Sequence, residues 1–322
     1  SILISGFWSL VNERFDPRSA RRLIGRIGTG GTVGGVIGGL LAARASDTID
    51  VPTLIPILAL LHLFCALLLF WLGSSDRIPA PERPSTTEET PYRSGARILS
   101  EQPYLRSLAA LILLGTIGAA LIDYVFKARA SEYLTEPDGW LHFFAYYYTV
   151  IGIVSVILQT GLSRLSLRKL GLAKTVGTLP AVVVLGSFGA ILVPQLIAAA
   201  LARGAEAVIR NSLFRSAYEV LYTPVPADEK RATKSIIDVG FERMGDALGG
   251  GITRVILMVG APLAHYLMLF LAIVLASFGL YIARRLHKGY VSAFERSLKQ
   301  KAVELDIDEV EDKTTRQTVI LT

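Results

Sequence analysis

Residues 74–103, SSDRIPAPERPSTTEETPYRSGARILSEQP, interrupt a chain of 322 residues that is 52% hydrophobic and only 19% charged. Proline, serine and charge at this density cannot bury a core, so the segment is expected to be exposed and in part unordered. On both sides of it lie apolar runs of roughly 20 residues, the length that crosses a hydrocarbon layer ~30 Å thick. Six follow it, at 104–126, 140–160, 173–193, 195–224, 237–260 and 264–284. Before it come 24–44, 52–73 and, in residues 1–11, the end of one more. This pattern specifies an all-α, polytopic membrane protein with about eight full spans.

The net charge of +6 is a matter of membrane orientation rather than of nucleic acid, because the basic residues sit in alternate connections. Arg14, Arg18, Arg21 and Arg22, then Arg77, Arg83, Arg93 and Arg97, then Arg164, Arg168, Lys169 and Lys174, then Lys230, Arg231 and Lys234, and finally Arg284, Arg285 and Lys288 fall at every second loop. The intervening connections hold Arg44, Lys127 and Arg129 at most. An unbroken zigzag with the rich loops in the cytoplasm fits this alternation. One cysteine, Cys65, excludes a disulfide framework. His62, His142, His265 and His287 are scattered without ligand spacing, so no metal site or other cofactor is expected. No nucleophile and base are arranged for catalysis, and the chain reads as no enzyme.

A long polar linker between two helical bundles resembles the plan of the major facilitator superfamily, whose halves are structural repeats with the substrate site between them near mid-membrane. On that plan residues 1–73 are the end of the amino-terminal bundle (part of helix four, then helices five and six). Residues 74–103 are the cytoplasmic linker, 104–284 the carboxy-terminal six-helix bundle, and 285–322 a cytoplasmic amphipathic helix and tail. The loop GLSRLSLRKLG (161–171) looks like the basic, glycine-containing loop that this superfamily carries between helices eight and nine. RRLIGRIGTGG (21–31) also lays over FERMGDALGGG (241–251), as equivalent fifth helices of the two halves. The glycines do not form a phosphate loop, because no GK[ST] follows. Small residues at Gly30/Gly34, Gly31/Gly35 and Gly35/Gly39 instead suit close packing of two helices in a membrane.

Three stretches carry a narrower resemblance. RNSLFRSAYEVLYTPVPADEKRATKSIIDVGFERMG (210–245), FWSLVNE (7–13) with ARRLIGRIGTG (20–30), and LIDYVFKAR (121–129) are similar, in that order, to segments of the nucleotide transporter family, the ATP/ADP translocases of plastids and intracellular bacteria. The matching positions include Asp123, Phe126, Lys127, Arg210, Glu219, Tyr222, Pro224, Lys234, Asp238, Arg243 and Gly245. Arg215 stands where the family has an Asp, and Asp246 where it has a Lys. In detail, SAYEVLYTP and GDALGG look closer to bacterial relatives in which the bundle is fused to cytosolic domains. The resemblance implies an inner-membrane protein exchanging nucleotides or related phosphorylated anions.

Charges inside spans are expensive, so those here face a cavity or partners. Arg203, Glu206 and Arg210 fall at i, i+3, i+7 on one stripe, and Asp238, Glu242 and Asp246 at i, i+4, i+8 on another. Two readings of these stripes stand side by side: ion pairs between adjacent helices, or groups that meet a substrate. A polyphosphate needs several cations, and Arg offers it a planar fork. The expected substrate-binding set is Asp123, Lys127, Arg203, Arg210 and Arg243; Glu206, Glu219, Asp238, Glu242 and Asp246 are expected in ion pairs or gating. The aromatic run FFAYYYTV (143–150) reads as an interfacial anchor or a purine platform. Two functions remain open: a secondary transporter of such anions, or a transporter-derived module that anchors or senses for a fused cytosolic domain. The acidic run ELDIDEVED (304–312), followed by TVILT, carries the expectation that the chain continues into such a domain.

Overall fold

The computed structural model describes residues 51–74, 94–134, 137–162, 165–166, 169–222, 225 and 227–308, together with 30–31, 33–35, 37–41 and 44. All regular structure among these residues is helical. The expected end of a span at 1–11, the linker up to residue 93 and the tail beyond 308 lie outside the described residues. Helix α1 is Val51–Ser74, α2 Gly95–Glu101, α3 Pro103–Tyr133, α4 Pro137–Gly161 and α5 Gly171–Leu192. Helix α6, Leu196–Ile209, runs through a π turn at Arg210–Phe214 into α7, Arg215–Leu221. Helix α8, Ala227–Ser235, runs through a second π turn at Ile236–Phe241 into α9, Glu242–Leu257, and α10 is Ala261–Asp308.

Stretches within α3, α4, α5 and α10 are long and apolar enough to cross a membrane. The continuous rods α6–α7 and α8–α9 carry internal charges. Helix α3 is the central post, packed by α6, α9 and α10. Its first half joins one layer of the core, with Leu105, Leu108 and Leu111 against Val176, Leu179, Phe214, Leu221 and Ile282. Its second half joins another, with Ile117, Leu121 and Val125 against Val183, Ala202, Met268 and Ala272. The outward faces remain apolar, with Leu185 71% and Leu201 68% exposed, as suits contact with lipid chains.

Because lipid is as apolar as leucine, close backbone approach takes over from burial as the packing force. At the α3–α9 crossing a Cβ on Gly249 would stand 2.6 Å from Ala120 Cβ, and one on Gly245 2.8 Å from Thr116 Cβ. Among the described amino-terminal glycines, Gly39 meets a neighbour, Thr149 Oγ1 of α4, at 2.6 Å from a built Cβ, and a Cβ on Gly30, Gly31, Gly34 or Gly35 meets no described atom within 4 Å.

Two segments read as irregular are helical. Residues 95–101, expected in the exposed linker, form α2: the Ser94 hydroxyl accepts from the Arg97 N–H at 3.4 Å, and Ile98 is buried in the first core layer. A side chain at position 95 would collide with the Ala232 carbonyl oxygen at 2.1 Å, so glycine lets α2 lie on α8. Helix α8 itself occupies the charged connection 225–236, and Gln102 Nε2 donates to Glu229 Oε2 across the pair at 2.5 Å. Helix α10 continues without a break from the last span to Asp308.

Candidate ligand site between α3 and α6

One ladder of charge crosses the membrane interior. On α3, Lys127 Nζ lies 2.7 Å from Asp123 Oδ2, one turn apart. The other carboxylate oxygen, Asp123 Oδ1, accepts from Arg203 Nε of α6 at 2.8 Å. Arg203 also donates to Glu206, whose Oε1 accepts from Arg210 Nε at 2.6 Å. Arg210 then returns to α3 by donating to the Gly115 carbonyl at 2.9 Å. Glu206 is 0% exposed, and the two guanidiniums on either side of it supply the hydrogen bonds that a buried carboxylate needs. Lys127, at the other end, is half exposed. Three cations against two carboxylates leave one positive charge in the ladder.

The π turn matters here because it begins at Arg210. An extra residue in a helical turn rotates everything after it by about 100°, and such turns recur at functional sites. Arg203, Glu206 and Arg210 precede this rotation and share one stripe, whereas Tyr218 and Glu219 follow it and turn toward α8. The aromatic run on α4 braces the ladder. Phe143, Phe144 and Tyr147 pack around Phe126 of α3, with the Tyr147 ring 4.6 Å from Phe126, and the Tyr147 hydroxyl donates to the Ala200 carbonyl at 2.8 Å.

A second cluster sits where α7 meets α8. Lys234 Nζ is 2.6 Å from Glu219 Oε2, 3.9 Å from Asp238 Oδ2 and 5.1 Å from the centre of the Tyr222 ring. Tyr218 donates to Asp238, and its hydroxyl lies 3.0 Å from that of Tyr222. Tyr218 and Lys234 were outside the expected site set, although Tyr218 and Tyr222 stand one helical turn apart, the spacing that lets their hydroxyls meet.

The expected set therefore divides into three. Asp123, Lys127, Arg203, Glu206 and Arg210 come together; Glu219 and Asp238 form the second cluster; Glu242, Arg243 and Asp246 lie exposed on α9, where Arg243 Nη1 is 3.1 Å from Asp246 Oδ2. The stripe Asp238–Glu242–Asp246 is not one face, because Asp238 lies within the π turn Ile236–Phe241 and the other two follow it on α9. Nor does it pair with the α6 stripe: Arg203 takes its partner, Asp123, from α3.

Residues 1–223 match the family model described as Major Facilitator Superfamily, more than half of the chain. The chain belongs to that superfamily. Over 294 residues it is 21% identical to "ADP,ATP carrier protein 1, chloroplastic" and 22% to "ADP,ATP carrier protein 2, chloroplastic", both of Arabidopsis thaliana, in alignments covering 80% of this chain and 47% of each relative. The chain thus spans about half the length of the curated relatives it matches. No solved structure matches it. Superfamily membership and the apolar helices make this an integral, multi-pass membrane protein of all-α fold, and the family points to transport rather than catalysis.

Proposed function

We propose that the whole protein is a secondary transporter of nucleotides or related phosphorylated anions, working by alternating access between two helical bundles. The division into residues 1–73, 74–103, 104–284 and 285–322 belongs to the same reading. The observation that carries it is the ladder Lys127–Asp123–Arg203–Glu206–Arg210, two largely buried guanidiniums and a half-exposed lysine gathered on two carboxylates, in a chain similar to proteins named as ADP,ATP carriers. A polyphosphate entering beside α3 and α6 competes with Asp123 and Glu206 for the cations. When it leaves, the carboxylates take its place, so the charges are never left unpaired in a medium of low dielectric. Arg243, exposed on α9, adds a further cation on the face turned away from α3.

The test is uptake of labelled ATP, ADP and AMP into vesicles holding the full-length protein, with and without nucleotide inside. Uptake that depends on internal nucleotide supports exchange. Arg210→Ala and Lys127→Ala should each weaken nucleotide binding about tenfold or more in a calorimetric titration, since a charge-assisted hydrogen bond is worth roughly 1.5–3 kcal/mol. Arg97→Ala, on α2 away from the ladder, should leave it unchanged. A second reading, a non-transporting module that serves a fused cytosolic domain, is favoured by one observation: every charge of the ladder is already paired, and Arg243 has Asp246 beside it. No binding and no uptake of any nucleotide would decide for that reading.

A further inference from the structure

Helices α5 and α10 pack antiparallel along a long seam: a Cβ on Gly177 would lie 3.7 Å from Leu280 Cδ2, and one on Gly279 3.5 Å from Pro180 Cβ. Lys174 precedes Gly177 by three residues on the same stripe of α5, and Arg284 follows Leu280 by four on the same stripe of α10. The contact between Gly177 and Leu280 therefore places Lys174 and Arg284 at the same end of the seam, each about one turn beyond it. Arg285 follows on α10, and Lys169 lies just before the first residue of α5, Gly171. All four cations are exposed, and none is paired with a described acid. That sets them apart from the cations of the interior, each of which has a carboxylate.

Beside this end of the seam, the outward face of α10 is apolar and aromatic. Phe278 and Tyr281 are 55% and 58% exposed and stacked on one another, with ring centres 6.0 Å apart. Tyr281 is one turn from Arg284 and Arg285, so an aromatic step leads from the hydrocarbon zone to the cationic rim. Cations without a described acid, beside an exposed apolar surface, match a molecule with a phosphate at one end and acyl chains at the other.

We infer that the α5–α10 seam is a binding site for an anionic phospholipid, its headgroup phosphate held by Lys174 and Arg284 with Arg285 and Lys169 alongside, and its chains lying along Phe278 and Tyr281. Clusters of basic residues at the ends of membrane helices draw anionic lipid in proportion to their number. A soluble phosphate gains nothing from the aromatic wall, which is why the lipid is the occupant. The site is separate from the ladder between α3 and α6 and stands whatever the protein transports.

Native mass spectrometry of the full-length protein in detergent, titrated with dioleoyl phosphatidylglycerol or dioleoyl phosphatidylcholine, tests it. The wild type should retain roughly tenfold or more of the anionic lipid over the zwitterionic one, as removal of two interfacial cations predicts in reverse. The double variant Lys174→Ala/Arg284→Ala should lose that preference, each single variant should lose part of it, and Lys174→Arg/Arg284→Lys should keep it. Arg254→Ala, exposed on α9, should bind as the wild type does. Equal retention of the two lipids by the wild type, an unchanged preference in the double variant, or displacement of the lipid by an equal concentration of glycerol 3-phosphate would each overturn the inference.

Discussion

Glu206 shows most directly what holds the ladder in place. It has no exposed surface and sits between Arg203 and Arg210, so its removal leaves two guanidiniums facing each other in the apolar interior. Breaking a buried pair from one side costs about 3–5 kcal/mol. Glu206→Ala should therefore lower the thermal midpoint of the purified protein sharply, and Glu206→Gln, which keeps the shape but not the charge, should recover little of it. The exposed pair Arg97–Glu101 gives the contrast: at 2.9 Å, with both side chains in solvent, its loss in Arg97→Ala should barely move the same midpoint. Equal midpoints for the two alanine variants would show that Glu206 does not stabilise the ladder. The spacing of Arg203, Glu206 and Arg210 was legible in the sequence because one helix carries all three. The partnership of Arg203 with Asp123 was not, since it spans two helices 80 residues apart, and local periodicity says nothing about which neighbour a stripe will face.

At the scale of helices, four of the six spans expected after the linker, 104–126, 140–160, 173–193 and 264–284, fall on helices long and apolar enough to cross a bilayer, whereas 195–224 and 237–260 fall on the charged rods α6–α7 and α8–α9. What periodicity could not give was the phase. It assumes 3.6 residues per turn throughout, and both charged rods break that rule, at Arg210–Phe214 and at Ile236–Phe241. Asp238 consequently turns toward Tyr218 and Lys234, whereas Glu242 and Asp246 face outward. The charged connection before α9 reads as a loop in the sequence, although Ala227–Ser235 is a helix in which Glu229 and Lys234 find partners outside it and Thr233 is fully buried. Close helix contact also has a sharp local test. Gly249→Val should loosen the α3–α9 crossing by about 1–3 kcal/mol, because the new side chain runs into Ala120, where a Cβ alone would be at 2.6 Å. Gly250→Ala, one residue on with nothing within 4 Å, should be neutral or stabilising by about 0.5–1 kcal/mol. Thermal unfolding of the two variants compares them directly; a valine tolerated as well as the alanine would mean that the crossing is wider than the structure has it.

At the scale of the molecule, contacts gather the described basic segments at one end. Gly95 of α2 lies against Ala232 of α8, Tyr104 at the start of α3 donates to the Leu221 carbonyl at 2.6 Å, and a Cβ on Gly289 of α10 would lie 3.0 Å from the Tyr104 ring. Arg97, Lys234, Arg284 and Arg285 share this end, and Lys174 joins them through the α5–α10 seam. The opposite end, where Trp140 donates to the Leu134 carbonyl at 2.7 Å, carries Arg129 close to its pair with Glu132. Among the described residues the alternation of charge along the sequence reappears as a grouping in space, and by the positive-inside rule the basic end is expected in the cytoplasm. Helix α3 makes this testable, because Ser100 lies just before it and Tyr133 closes it, both exposed. In a Cys65→Ser background, which removes the one thiol of these 322 residues, an impermeant maleimide added to intact cells should label Tyr133→Cys and leave Ser100→Cys unmodified. Ser85→Cys, in the linker, should behave as Ser100→Cys does. Opening the membrane should expose all three. Labelling of Ser100→Cys and Ser85→Cys from outside, with Tyr133→Cys protected, would reverse the orientation; labelling of Ser100→Cys and Tyr133→Cys from one side would deny that α3 crosses the membrane at all.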